Sequence, residues 1–216
     1  MKKVLAVCFI LVFLSCHRSD NKNDSLTNNE GENEMIETIL TRRSIRKYKP
    51  QQVERAKLDT VMKAAIYAPS ALNKQPWEVR VVQNKEFIDK INDRFVAFAR
   101  GREMQGSASR AAEPGFSVFH GAPTVIVLAR DKNNHSSMLD VGLLTQNILL
   151  SAHALGLGTC PIGSVVSILT DPANKELVDL LKIPEDYEIV LAVSLGYSDE
   201  SPVVKERYAD KVIYME

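Results

Sequence analysis

Arg42-Arg43-Ser44-Ile45-Arg46-Lys47-Tyr48 is the stretch around which this chain is organised. From Arg42 to Lys49 it sets five cations among eight residues, with no acid. Such a run either faces water or holds an anion. Guanidinium forks beside a serine hydroxyl suit a phosphate, because they give short, charge-assisted and often bidentate hydrogen bonds. Standing alone, the run reads more readily as a solvated basic turn. Its neighbours in the chain shift that balance.

On the N-terminal side, Met35 to Thr41 has the pattern of a short helix that delivers the run. On the C-terminal side Pro50 imposes an extended turn, and Val53 to Tyr67 carries Leu58, Val61, Met62 and Ala65 at helical spacing. That helix closes at Ala68-Pro69, since a residue before proline is pushed out of the α region. Ala68-Pro69-Ser70-Ala71-Leu72-Asn73-Lys74-Gln75-Pro76-Trp77 is then a loop of small and amide side chains, closed by the single tryptophan. A connection whose tryptophan caps the core explains it as well as a binding loop does, although constrained loops are where binding chemistry sits.

Glu78 to Gln83 reads as a strand. Lys85 to Arg100 reads as an amphipathic helix with Phe87, Ile88, Ile91, Phe95 and Phe98 on one side. Gly101 to Gly115 is small, polar and charged, and could serve as a mobile flap over a pocket. Pro123 to Ala129 is a continuous apolar run, expected as a central strand. Asp140 to Leu155 is apolar almost all round, which predicts burial in a core or against a second subunit, with Gly156 as its C-terminal cap. Gly158-Thr159-Cys160-Pro161-Ile162-Gly163-Ser164 is expected as a turn leading into helix as far as Leu181. Glu188 to Leu195 gives a second strong strand, Pro202 to Arg207 a basic loop, and Lys211 to Met215 a terminal strand.

The chain of 216 residues balances 27 basic against 27 acidic side chains, so nothing in its charge calls for nucleic acid as a partner. Its composition is that of one globular domain once the N-terminus is set aside. Met1-Lys2-Lys3, the apolar run Val4 to Leu14 and Ser15-Cys16 read as a signal peptide, the run being too short to span a bilayer. Phe13-Leu14-Ser15-Cys16 resembles a lipobox, which implies residues 1–16 as a lipoprotein-type leader and a lipid anchor at Cys16. Residues 17–34 are polar and acidic with little to bury, and read as a disordered tether with a reach of roughly 20–25 Å. The domain proper is expected over 35–216, tethered to a membrane in the periplasm or cell envelope of a bacterium. Cys160 is the one cysteine in that domain, so no disulfide can form inside it.

Several chemistries are missing. No G-x-G-x-x-G follows a strand, and there is no phosphate-binding P-loop, H-E-x-x-H or paired cysteine motif. No serine sits in a G-x-S-x-G elbow. His120, His135 and His153 read as structural, and Cys160 as a small core residue.

Together the motifs resemble the nitroreductase family, over about Ile36 to Met215. Four signatures carry the likeness: the R-R-S-I-R run at Arg42, the P-S-A-L-N-K-Q-P-W loop, the G-L-G-T-C-P-I-G-S segment and the late Lys205/Arg207 pair. The resemblance implies an α+β fold, a mixed, mostly antiparallel central sheet flanked by helices, with a C-terminal strand extending to a partner subunit. It implies a homodimer with FMN at the interface. Arg42 and Ser44, with Arg43 beside them, would bind the FMN phosphate, and Lys205 and Arg207 would approach it from the other end of the chain. Arg46 would sit near the pyrimidine edge of the isoalloxazine. Pro69, Ser70, Ala71 and Asn73 would come from the second subunit. Pro161, Ile162 and Gly163 would lie against the ring, with backbone N–H groups near Gly163 and Ser164 facing it.

Three positions depart from the family pattern: Ala71 and Lys74 stand where many members carry serine, and Gly163 where some carry glutamate. The implied activity is ping-pong electron transfer from NADH or NADPH, through the flavin, to a small electron-poor acceptor such as a nitroaromatic, quinone or enone. No side chain is expected as a catalytic acid or base. Two other readings fit the same motifs: an FMN enzyme with a specialised dehalogenation or dehydrogenation substrate, and a tethered flavin-binding protein without activity.

Overall fold

In a computed structural model of the chain, residues 26–216 are described, with side chains from residue 34 onward. The expected leader (1–16) and residues 17–25 of the expected tether lie outside the described residues. Two units part between Glu37 and Thr38. The first contributes the beginning of α1 (Leu26–Thr41), on which Met35 and Ile36 stand exposed. The helix begins at Leu26 rather than at Met35, so the back of the expected tether is helical. No proline interrupts residues 26–34, and once a helical turn exists each added residue extends it at little cost.

The second unit, Thr38–Glu216, runs through α2 (Arg55–Ala65), β1 (Trp77–Val82), α3 (Lys85–Ala99), β2 (Thr124–Asp131), α4 (Ser137–Ala154), β3 (Gly158–Ile162), α5 (Val166–Leu169), α6 (Lys175–Leu181) and β4 (Tyr187–Gly196). Among the described residues the strands form one four-stranded sheet in the order β1-β2-β4-β3, every ladder antiparallel. The parallel element is a single bridge between Ser44 and Thr159.

β2 holds the centre because it has something to bury on both faces. Successive side chains of a strand point to opposite sides. Val125, Val127 and Ala129 therefore pack with Ile91 and Phe95 of α3, Ile168 and Leu169 of α5 and Leu177 of α6. Ile126 and Leu128 pack with Leu58 and Val61 of α2 and Leu144 and Ile148 of α4. The result is three layers, helix on sheet on helix. In β4 the register slips where Leu128 faces Leu191 and Ala129 faces Ile189, leaving Val190 as an extra residue. That bulge switches the strand's faces: Ile189 and Ala192 point to the α3 side, Val193 and Leu195 to the α4 side.

Helix α4 ends as its sequence anticipates. Gly156 takes a left-handed φ of +73°, its N–H donates to His153 O and the Leu157 N–H to Ala152 O, both at 2.9 Å. These are the two bonds of a Schellman cap. Its far face is not covered: Leu139 is 68% exposed, with Met138 and Leu143 beside it. Among the described residues no helix is long and apolar enough to cross a membrane.

Two expectations need correction. Gly158 to Ile162 is an edge strand rather than a turn, paired with β4 from Gly158↔Gly196 to Ile162↔Ala192. Glycine and proline argue against a strand in sequence, but an edge has a side on which the missing proline N–H is not needed. Lys211 to Met215 is not a strand: Ala209–Lys211 is a 3-10 turn and the residues after it have no regular structure. A strand exists only with a ladder partner, and among the described residues that segment has none. The expected flap, residues 101–115, is partly pinned, since Ala108 and Ala111 are buried in the α3-side core.

Gly158 is where the basic run meets the sheet. A Cβ there would lie 2.7 Å from Ile45 Cγ1 and 2.9 Å from Ile45 Cβ, and Ile45 Cβ is too close to its own backbone to give way. Gly158→Ala is expected to destabilise the fold by about 1–3 kcal/mol, read as a lower denaturation midpoint. Unchanged stability would mean that Ile45 does not dock there.

Candidate functional site

The basic run lies against the outer edge of β3. The Ile45 N–H donates to Thr159 O at 2.9 Å, and Ser44 forms the parallel bridge to the same residue. Ile45 and Tyr48 point inward and are buried, while Arg46 and Lys47 point to solvent. The Tyr48 hydroxyl donates to Ile45 O at 2.8 Å, which closes the turn. The two buried residues thus bracket Arg46 and Lys47 and hold that pair outward.

A cavity of about 380 Å³ opens beside this run, lined among others by Arg42, Arg43, His153, Thr159, Glu200 and Val204. Arg42 is half-buried there, and among the described residues its Nη1 is shut from solvent without a hydrogen-bond partner. Burial, and then the charges of Arg43 and Arg207, hold its guanidinium below the ordinary value. A half-buried guanidinium with no ion pair among the described residues carries a desolvation cost, which an anion in the cavity would offset. Arg43 Nη1 donates to the carbonyls of Leu40 and Arg42, at 2.7 and 2.9 Å. Thr159 Oγ1 is likewise buried without a partner among the described residues.

Of the late basic pair, Arg207 comes within electrostatic reach of Arg42 from the other end of the chain, while Lys205 does not line the cavity. Residues 201–207 leave β4 as an irregular arm, with Val204 on the cavity wall and the Arg207 charge felt at Arg42. Pro161 and Ile162 end β3, and Gly163 and Ser164 continue from it, so they share an edge with the basic run. A Cβ on Gly163 would meet nothing within 4 Å, so the backbone there borders open space. The cations and unpaired donors on the cavity wall fit the phosphate of a flavin mononucleotide; Pro161 to Ser164 lie further along the same edge and do not line the cavity.

Pro69, Ser70, Ala71 and Asn73 are not brought to this cavity. The Ala71 N–H shares its bond between the two Asp140 carboxylate oxygens, both at 3.3 Å, at the start of α4. The cavity sits at the other end of that helix, where His153 Nε2 bonds Thr41 Oγ1 at 2.9 Å. From Asp140 to His153 the helix rises about 20 Å. Leu72, Asn73 and Gln75 all have positive φ, at 53°, 53° and 48°, and Leu72 is 88% exposed. Left-handed non-glycine residues cost on the order of 1–3 kcal/mol each and gather at functional loops.

Sequence reading missed Glu200, Thr159 and His153 on the cavity wall. Glu200 accepts a hydrogen bond from the Arg46 N–H, an acid set against a run that contains none. Its 154-residue separation from Arg46 leaves no local pattern to find. His120 is less ordinary than expected: it has φ +59°, and its Nε2 is buried without a partner among the described residues.

The sequence model of the Nitroreductase family matches residues 39–197, and the chain belongs to that family. A protein of Archaeoglobus fulgidus, provisionally described as an NADH dehydrogenase/NAD(P)H nitroreductase, is 35% identical over 168 residues, covering 76% of this chain and 85% of its own. The FMN reductase [NAD(P)H] of Bacillus subtilis is 28% identical over 194 residues, covering 84% of this chain and 72% of its own. Among solved structures, a nitroreductase with bound FMN from Desulfitobacterium hafniense superposes with a TM-score of 0.78 at 32% identity, covering 85% of this chain and 98% of its own.

Two histidines make stability depend on pH. Burial, then Arg46 and Arg110, holds His120 below 6.5, with Glu200 acting weakly the other way; burial, then Arg42 and Arg43, does the same for His153. The unfolded chain takes up these protons near pH 6.5 while the folded chain resists them, so stability present above that pH is lost as pH falls below it. The melting temperature is expected to drop from pH 7.5 to 5.5. His120→Asn, which cannot titrate and tolerates the left-handed backbone, should shrink the drop; an unchanged drop would remove His120 from the account.

Proposed function

We propose that the chain is an FMN-dependent oxidoreductase of the nitroreductase type, drawing electrons from NADH or NADPH. The observation that carries this is the half-buried Arg42 guanidinium, one nitrogen unpaired among the described residues, on a cavity shared with Arg43 and approached by Arg207. The cofactor is that of the Desulfitobacterium relative, and the donor is that of the Bacillus one.

Arg42, Arg43 and Ser44, with Lys205 and Arg207, would hold the phosphate, using charge-assisted bonds that a neutral ligand could not exploit. Arg46 would stand near the pyrimidine edge of the ring, where a positive charge favours the electron-rich form. Pro161, Ile162, Gly163 and Ser164 would border the ring. The chemistry supplied by bound FMN is two-electron transfer from the nicotinamide to an electron-poor acceptor such as a nitroaromatic, quinone or enone. The protein's share is binding, orientation and a positive field.

The loop at Pro69, Ser70, Ala71 and Asn73 would complete the site of a second copy, because α4 keeps it about 20 Å from its own cavity. Exposed Ile66, Tyr67, Leu72, Met138, Leu139 and Leu143 supply an apolar face for that copy, of a kind that marks protein contacts. The apolar C-terminal residues Val212, Ile213 and Tyr214, all exposed, would find on the partner the ladder they lack at home. The leader motif supports tethering through Cys16 at the cell envelope. A domain facing outward would need a donor other than cytoplasmic NAD(P)H, which makes protease accessibility of the tethered domain the measurement that fixes its side.

The purified chain should be yellow, or take up FMN, and should oxidise NADH or NADPH with a nitro or quinone acceptor. A colourless dimer that ignores added FMN would refute the reading. Arg42→Ala should weaken FMN binding by about 10–100-fold, the scale of a lost charged hydrogen bond. Leu139→Glu should yield monomers that no longer retain flavin, measured by light scattering and absorbance; a flavin-loaded monomer would sink the shared site.

A further inference from the structure

We propose that Glu200 is a positioning residue for the phosphate end of the site. Its carboxylate clasps the arm bearing Lys205 and Arg207 onto the basic run. The inference rests on the reading of this cavity as an FMN site.

The chain leaves β4 through a short antiparallel ladder against the basic run. The Lys49 N–H donates to Tyr197 O and the Asp199 N–H to Lys47 O, both at 2.9 Å, around the bridge between Tyr48 and Ser198. Lys47 Nζ and Asp199 Oδ2 pair at 3.0 Å, but both side chains are exposed and such pairs contribute little. The next contact is of a different kind. The Arg46 N–H donates to Glu200 Oε1, while the Ser198 hydroxyl donates to Glu200 O at 2.6 Å. Side chain and backbone of Glu200 are thereby both fixed.

Past Glu200 the constraint ends. Residues 201–207 have neither helix nor strand, and all but Pro202 are exposed. Arg207 Nη1 donates within its own arm, to Lys205 O at 2.9 Å and Glu206 O at 3.1 Å. Among the described residues Glu200 is therefore the last anchor before the two cations, and the direction of the arm is set there.

An acid on this wall is otherwise hard to explain. Glu200 shares the cavity with Arg42 and Arg43, and like charges repel, so its carboxylate opposes any anion bound there. What it contributes is an acceptor for a main-chain N–H of the basic run. Charge and acceptor can be separated: glutamine keeps the oxygen and removes the charge, while alanine removes both.

The test is fluorescence titration of the full chain and its variants with FMN and with riboflavin, which lacks the phosphate. E200Q is expected to bind FMN at least as tightly as the unsubstituted chain. E200A is expected to bind FMN about three- to tenfold more weakly than E200Q, the scale of one neutral hydrogen bond, with riboflavin binding equal in all three. If E200A and E200Q bind FMN alike, the clasp is refuted. If E200A loses riboflavin as well, Glu200 holds the fold rather than the phosphate end, and the proposal falls. An unsubstituted chain that prefers FMN no more than riboflavin would overturn the phosphate site itself, and the clasp with it.

Discussion

A guanidinium taken half out of water needs an opposite charge, and Arg42 shows how much structure that need can organise. Desolvation alone pushes the group toward its neutral form. Arg43 and Arg207 add to that pressure. No folded protein gains stability by crowding like charges. The arrangement makes sense as ground prepared for an anion, its donors set before the ligand arrives, so that binding energy is not spent on ordering them.

The fastening of that ground is apolar. Ile45 sits over Gly158 with no room for a methyl group between them, and its N–H closes on Thr159. Buried Ile45 and Tyr48 flank exposed Arg46 and Lys47. The cations are therefore aimed by the hydrophobic residues between them, and the edge of β3 is left half-open to carry them. Site and sheet share a border, and the bulge at Val190 adjusts β4 so that both of its halves still bury their larger residues.

Most of the framework was legible because period and burial agree. β2 is apolar from Val125 to Ala129 and lies at the centre; α3 shows its Ile88, Ile91, Phe95 stripe and buries it; Gly156 caps α4. The readings that failed are those in which a tertiary partner outweighs local preference. β3 contains glycine and proline and forms only because β4 offers a register. Lys211 to Met215 has strand-forming residues and no strand, because the partner is missing. The cations of the site were visible as a local run. Glu200 was not, because its role comes from a contact spanning 154 residues, and nothing in its own neighbourhood marks it.

Helix α4 also works as a fixed gauge. It joins the strained loop at one end to the cavity beside Arg42 at the other, and a helix has no slack: one inserted residue would turn everything beyond it by about 100°. His153 would swing away from Thr41, and the exposed Leu139 stripe would no longer lie on one line. Length variation among related chains should therefore be absorbed elsewhere, in irregular stretches such as residues 101–115, while the residue count between Asp140 and Gly156 stays constant. The separation of loop and cavity is in that sense a quantity written into the chain as an integer.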